Sequence, residues 1–331
     1  MNVLTARISA PVMVCMVGAL AALVMNRSTD AQSAAAAKPP SATSAANSAA
    51  APETFESAEK AADALIDAAE KFDVPALIRI VGERGEDVLL TDEYAADREA
   101  AQEFAAQART KQHVAVEPKD SSRAFLLVGE EDWPFPLPIV KHQGRWSFDA
   151  EAGRDELIWR RIGRNELDAI DICRGFVEAQ YDYSFRKRTG YEVPQYAQRI
   201  IATPGKQDGL AWQNPDGSWD GPIGEKVAHA IQQGYDLKAD PYHGYFFKVL
   251  KGQGPAAPLG TLDFVIEGAM IGGFALVAAP AEYGESGVKT FMVSHTGVVY
   301  QKDLGPSTLA EFQKMERFNP DKSWSVVPEE D

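Results

Sequence analysis

The chain has 331 residues, with 33 Lys and Arg against 48 Asp and Glu, for a net charge of −15. No nucleic-acid partner is expected, because phosphate backbones need a basic footprint and none is visible, and the acidic balance argues against docking on anionic lipid. The length suits two modest domains.

Arg7 precedes an uncharged apolar run from Ile8 to Met25, and polar and small residues follow from Asn26 to Ala31. Basic, apolar, then polar and small is the order of a secretory signal peptide, assigned to residues 1–31. Cleavage near Ala31 or within Ala34–Ala37 is the expectation. The alternative is an uncleaved anchor, because about 18 apolar residues approach the length that spans a bilayer. Cys15 follows Val12-Met13-Val14 and lacks the small residue that a lipoprotein signal places before its cysteine, so no lipid is expected there. After cleavage no membrane span is expected. Loss of Arg7, Arg27 and Asp30 removes one net positive charge, taking −15 to −16. Cys173 is then the single cysteine, so no internal disulfide can form, and its apolar helical setting implies a packing thiol. Residues 32–52 are almost all Ala, Ser, Pro, Thr and Lys, the composition of a flexible linker.

The first domain is expected over 53–153. Thr54 or Ser57 can cap a helix with Ala58, Ala61, Ala62, Leu65, Ala69 and Phe72 on one face. Asp73-Val74-Pro75 starts a second helix carrying Leu77, Ile78 and Val81. A third spans roughly 97–112, with Ala101, Phe104, Ala105 and Ala108 inward. Strands follow at His113–Glu117, Arg123–Val128, Phe135–His142 and Arg145–Phe148. In Trp133-Pro134-Phe135-Pro136-Leu137-Pro138 alternate prolines remove ladder donors. The segment reads as a blunted edge strand; the functional alternative makes Trp133 and Phe135 a rigid aromatic platform for a ligand.

The second domain is expected over 154–331. A long helix, about Arg154 to Arg188, joins the two, with an apolar stripe at Ile170, Cys173, Val177, Tyr181 and Ser184. Gly163 and Asn165 are candidate break points. Arg160, Arg161 and Arg164 read as members of a solvated ion-pair network with nearby acids such as Asp155 and Asp168, or alternatively as an anion site. Arg186-Lys187-Arg188 suits a helix C-terminus. Gly244-Tyr245-Phe246-Phe247 reads as a strand, and Phe274–Ala278, Thr290–Ser294 and Val298–Lys302 read as successive antiparallel strands. Their turns are Tyr283–Gly287 and His295-Thr296-Gly297. The fold class is therefore α+β: helices packed on antiparallel sheets, two domains joined by a long helix.

Several stretches carry a family resemblance: Glu131-Asp132-Trp133-Pro134-Phe135-Pro136, Arg161-Ile162-Gly163-Arg164-Asn165-Glu166, Tyr242-His243-Gly244-Tyr245, Ile271–Ala278 and Val298–Gly305. They resemble an exported bacterial family, the domain of unknown function 2950, from about Phe55 to the C-terminus. The resemblance implies an envelope location in Gram-negative bacteria and carries no catalytic residues. In that family an acidic Asp-Gly-Asp turn often stands where this chain has Arg188-Thr189-Gly190-Tyr191, which counts against a calcium loop here. More loosely, the first half resembles NTF2-like domains. The second half resembles the globular heads of type IV pilin-like proteins (pseudopilins), although a whole domain precedes its helix.

Chemical motifs are weak. Ser286-Gly287-Val288-Lys289 matches Ser-x-x-Lys, as does Ser57-Ala58-Glu59-Lys60, but the supporting elements of penicillin-recognising enzymes are missing. Asn214–Asp220 with Glu225 mimics an EF-hand loop, yet Trp219 stands where the turn demands glycine. An Asx-turn is the expectation. The five histidines (113, 142, 229, 243 and 295) lack metal-ligand spacing. If a ligand pocket exists, it is expected among His243, Tyr245, His295 and Lys302. No cofactor and no metal are implied.

The sequence thus implies an exported, periplasmic, non-enzymatic binding or assembly protein, with an envelope protein as its partner. The alternative is a hydrolase-type enzyme using His243 or His295 as general base. Such a base needs a carboxylate or hydroxyl within hydrogen-bond reach inside a concave pocket. A third reading, small-molecule capture in the first domain, needs an open cavity behind Trp133 and Trp146.

Overall fold

The computed structural model describes residues 50–90, 94–185, 193–224 and 241–328. The expected signal run with Cys15, nearly all of the expected linker, Arg186–Arg188, Gly190, Glu225 and His229 lie outside the described residues. No described helix is long and apolar enough to cross a membrane. The chain divides into two compact units, Met1–Leu157 and Ile158–Asp331.

The N-terminal unit begins with α1 (Ala58–Lys71), capped by Ser57, whose hydroxyl accepts from the Lys60 N–H. That cap satisfies one orphan donor and stabilises by about 1 kcal/mol. Asp73 caps α2 (Val74–Val81) in the same way through Ala76 N–H, with Pro75 in the first turn. After a short α3 (Glu86–Leu89), α4 (Tyr94–Thr110) packs on α1. Ala61, Ala62, Ala101 and Ala105 are fully buried, small side chains that let the two helices approach closely.

One antiparallel sheet completes this unit: β1 (Gln112–Glu117), β2 (Asp120–Val128), β3 (Trp133–Pro134), β4 (Ile139–His142) and β5 (Arg145–Phe148). Its order is β1-β2-β4-β5, with β3 also on β2. The expected strand Phe135–His142 is shorter than the sequence suggested and starts at Ile139. Pro136 and Pro138 have no N–H for the ladder; Phe135 still donates to Leu126 O at 2.8 Å. Phe135 is buried, packed on Phe104 (5.0 Å between ring centres) and Phe148 (6.3 Å).

Helix α5 (Ala150–Phe185) is continuous through Gly163 and Asn165, so neither breaks it. Nothing crowds Gly163, and a helical glycine costs only about 1 kcal/mol relative to alanine. Asn165 spends its amide on a tertiary bond to Ser286 O (2.9 Å). The buried face also differs from the expected stripe. Ile170, Cys173 and Val177 are buried, but Tyr181 is partly exposed, and the buried positions beyond Val177 are Ala179, Gln180 and Tyr183. Gln180 can be buried because both ends of its amide bond the Ala197 backbone at 2.8 Å.

The C-terminal unit centres on a five-stranded antiparallel sheet, preceded by β6 (Arg199–Ile201), β7 (Gly209–Gln213) and β8 (Trp219–Asp220). β6 and β7 are parallel, β7 and β8 antiparallel. Then come β9 (Tyr245–Leu250), the small pairs β10 (Gly252–Gln253) with β11 (Leu262–Asp263) and β12 (Val265–Ile266) with β13 (Ala269–Met270), and the sheet strands β14 (Ala275–Pro280), β15 (Lys289–Ser294), β16 (Val299–Asp303) and β17 (Ser325–Val326). The main order is β17-β16-β15-β14-β9. The three consecutive strands expected from the sequence are present as β14, β15 and β16, joined by antiparallel pairing.

Register fixes what each face carries. Tyr245 opposes Pro280, Ala278 opposes Phe291, and Phe291 opposes Gln301, so these residues share one face. That face packs on α5 in a core that includes Cys173, Phe176, Tyr245, Phe247 and Leu276. The other face carries Lys248, Met292, Thr290, Tyr300 and Lys302. It is covered by α6 (Thr308–Lys314) and Phe318. Lys248 donates there to the Phe312 and Gln313 carbonyls (2.7 and 3.1 Å), a cation on a helix C-terminus.

Candidate functional site

Within the C-terminal unit, α5 presents Arg161, Asn165 and Asp168 at spacings of four and three, one stripe of a helix. Each reaches a different backbone or side-chain partner. Arg161 Nε donates to Glu285 O (3.0 Å), and Asn165 Nδ2 donates to Ser286 O (2.9 Å). Glu166, beside them, accepts from the Val288 and Lys289 N–H groups, both at 2.9 Å. These bonds seat the 282–289 turn against the helix. The turn closes on itself through Gly284 N–H to Gly287 O and Glu282 N–H to Ser286 Oγ.

Asp168, the third member of the stripe, pairs with Nδ1 of His243. His243 and Gly244 are the two central residues of a tight hairpin, with Tyr242 and Tyr245 exchanging both backbone bonds (3.0 and 2.9 Å). Their φ values, +48° and +72°, have the signs of a type I′ turn. Histidine tolerates the left-handed region better than most residues, and Asp168 holds the ring. Gly244 has no substitute: a Cβ there would stand 2.6 Å from Asn165 Nδ2 and 2.9 Å from the Ser286 Cβ. The Tyr242 ring lies against the imidazole, 4.2 Å between centres.

In the neutral ring, an Nδ1–H donated to the Asp168 carboxylate leaves Nε2 as a lone-pair acceptor. The His243 and Asp168 side chains are 44% and 36% exposed, so the pair sits on open surface. A nearby Glu282 carboxyl titrates above the ordinary range, because it hydrogen-bonds Glu285 and is partly desolvated.

The expected four-residue pocket is taken apart by the sheet. Tyr245 follows His243 but is buried; its hydroxyl donates to Lys289 O (2.8 Å), and burial, then Glu166, raises its pKa. Lys302 opposes Thr290 and so lies on the other face from Tyr245. It donates to Ser323 Oγ (2.7 Å) and lies over Trp324. His295 follows the end of β15, where Ser294 opposes Ala275 and Ala275 opposes Leu250, the far end of β9 from Tyr245. A six-residue strand therefore separates the two histidines along the sheet, about 17 Å at about 3.3 Å per residue. His243 keeps a carboxylate partner that the sequence assigned to a surface network. His295 has its Nδ1 buried without a hydrogen bond.

In the N-terminal unit Trp133 is half-buried, while Phe135 is a core residue and is not presented to a ligand. The space behind Trp133 and Trp146 is filled by Phe104, Leu126, Phe135 and Phe148. Two concavities among the described residues of this unit lie elsewhere. One of about 620 Å³ is lined by Phe72, Glu83, Glu86, Leu90, Tyr94 and Asp97, and one of about 540 Å³ by Pro52, Val81, Arg84, Phe148 and Arg154.

The remaining motifs resolve as structure. Ser57 is a helix cap, and Ser286 bonds within its own turn. Asp216 accepts from the Ser218 N–H (2.9 Å) in an Asx-turn, with Gly217 at φ +86°. Among the described residues no group of three or more His, Cys, Asp or Glu could hold a metal ion. Cys173 is fully buried, and desolvation pushes its thiol up to about 12, the signature of an inert cysteine.

Asp168 was the residue that the sequence obscured, since acid beside arginine on a helix reads as a solvated pair. The stripe Arg161, Asn165, Asp168 was the available signal: polar side chains repeating at helical spacing on a helix whose other face is core. No curated protein and no solved structure matches the chain, so neither the NTF2-like nor the pilin-head likeness finds a counterpart. A family model described as a protein of unknown function (DUF2950) matches residues 52–327, well over half of the chain, and the protein belongs to that family.

Proposed function

We propose that this protein is exported to the periplasm and acts there by binding or assembly, with the Asp168–His243 pair as its point of recognition. Export is supported by the basic, apolar, then polar and small order at the N-terminus and by the Ala/Ser/Pro segment that follows. The observation that carries the recognition site is the imidazole held by Asp168 on a left-handed turn at open surface. Residues fixed in sparsely populated backbone conformations concentrate at functional sites, and a tethered acceptor nitrogen is a directional contact for a donor on a partner. Of the six residues singled out from the sequence, this reading keeps His243.

The same bond favours a second reading, in which His243 is a general base of a hydrolase-type enzyme. A carboxylate on Nδ1 orients the ring and leaves Nε2 to take a proton from a nucleophile. The open setting favours the first reading, because proton transfer gains most in a water-excluded site.

The test expresses the full chain in a Gram-negative host and follows its mass and location. The periplasmic protein is then used to capture partners from an envelope extract beside Asp168→Asn and His243→Ala. Binding or assembly expects processing, release into the periplasmic fraction, and loss of one stoichiometric component with both substitutions. Intact chain in the cytosol, or capture that both substitutions leave unchanged, overturns it. Turnover of a model ester that both substitutions abolish would select the enzymatic reading instead.

A further inference from the structure

His295 stands in the turn between β15 and β16 with two backbone ties. Its N–H donates to Phe274 O (3.0 Å), and its carbonyl accepts from the Tyr181 hydroxyl of α5 (2.6 Å). The imidazole has no such tie. Nδ1 is shut off from solvent and bonds nothing, against the rings of Phe264 and Phe274, 6.0 and 6.3 Å away between centres. Gly273 makes room for it: at φ +135° a Cβ would stand 2.9 Å from Nδ1. The slot therefore fits a neutral ring whose Nδ1 is a lone pair facing apolar groups.

A second proton would place a charged N–H donor in the same slot with no acceptor, the costliest state for a buried polar group. The neighbouring titratable groups offer no relief. The phenols of Tyr181 and Tyr196 both pack on Phe274, and the Tyr181 hydroxyl is already engaged. Asp263, the residue before Phe264, is paired with Arg317. Burial is the cause that holds the His295 ring below its ordinary value of 6.5.

We infer that His295 is an acid-sensitive latch: on protonation its ring leaves the slot, the Tyr181–His295 bond is lost, and the β15–β16 turn opens. The direction follows from linkage. The opened state takes its proton near 6.5, whereas the closed state resists it. Opening is therefore unaffected well above 6.5 and becomes more favourable as pH falls below it.

Amide hydrogen exchange on the purified full chain tests the latch, with protection corrected for intrinsic exchange. Between about pH 8 and about pH 5, protection of the residue-295 amide should fall severalfold. His295→Phe, which fills the slot with an apolar ring, should keep that protection independent of pH. NMR titration of the wild-type His295 ring needs no variant, and it should place the midpoint below 6.5 and in step with the exchange. Protection independent of pH in the wild type, an equal loss in His295→Phe, or a ring midpoint at or above 6.5 would overturn the inference.

Discussion

The two units use polar side chains differently. In the N-terminal unit exposed ion pairs, such as Lys60 with Glu56 and Arg109 with Asp67 and Glu70, lie over an apolar core rich in alanine, leucine and phenylalanine. In the C-terminal unit they tie distant segments together. Glu166 holds Val288 and Lys289, Asn165 holds Ser286, Gln180 holds Ala197, Tyr181 holds His295 and Asp168 holds His243. The first unit therefore rests on apolar burial, whereas the second adds directional bonds, and losing the buried Gln180 bonds or the part-buried Asn165 and Glu166 bonds leaves a shielded group unsatisfied.

The largest effect should come from the first core. Leu65 is almost fully buried between helices, and Leu65→Ala should cost about 2–5 kcal/mol through lost transfer energy and a cavity. Thermal unfolding would register it, and a cost below about 1 kcal/mol would contradict close packing there.

In the second unit a polar residue should matter nearly as much. Glu166→Ala removes the acceptor of two part-buried N–H groups and should cost about 1–3 kcal/mol by denaturant unfolding. The loss should appear as faster exchange of the Val288 and Lys289 amides. If those amides kept their protection, the seating of the 282–289 turn by α5 would be wrong.

Much of the first unit was legible because its signals are local. Ser57 and Asp73 precede their helices by one residue, and the alanine face of α1 recurs at three and four. The strand beginning at Phe135 was overextended, although its alternate prolines already showed that half its donors were missing. In the second unit the strands β14 to β16 were equally legible from β-branched and aromatic runs. What the sequence hid was the outcome of long-range contact. Asn165 reads as a helix break until Ser286 engages it, and Asp168 reads as solvated until His243 arrives from 75 residues away. Sheet parity was equally invisible, because placing Lys302 on the face opposite Tyr245 requires the register of four strands.

Thr290 sharpens the contrast from the other side. Its hydroxyl is fully buried on β15 and bonds nothing, an unsatisfied group inside the unit that depends most on satisfaction. Thr290→Val keeps the shape and removes the orphan, and it should raise stability by about 1 kcal/mol. A destabilised variant would reveal a partner for the hydroxyl.

The smallest effect belongs to the exposed pairs of the first unit. Lys60→Ala breaks a contact whose side chains are 62% and 69% exposed, and screening by water and salt leaves such pairs with little net value. Its thermal midpoint should match the wild type, at low and high salt alike. A clear, salt-dependent drop would mean that surface charge, and not apolar burial, holds the N-terminal unit.

The account turns on Asp168 fixing the His243 ring. Nitrogen-15 NMR of the imidazole reads this directly, since the two ring nitrogens have distinct shifts in each tautomer. At alkaline pH the wild-type His243 should carry its proton on Nδ1, and Asp168→Asn should abolish that preference. A ring protonated on Nε2 in the wild type, or one indifferent to Asp168→Asn, would contradict the account.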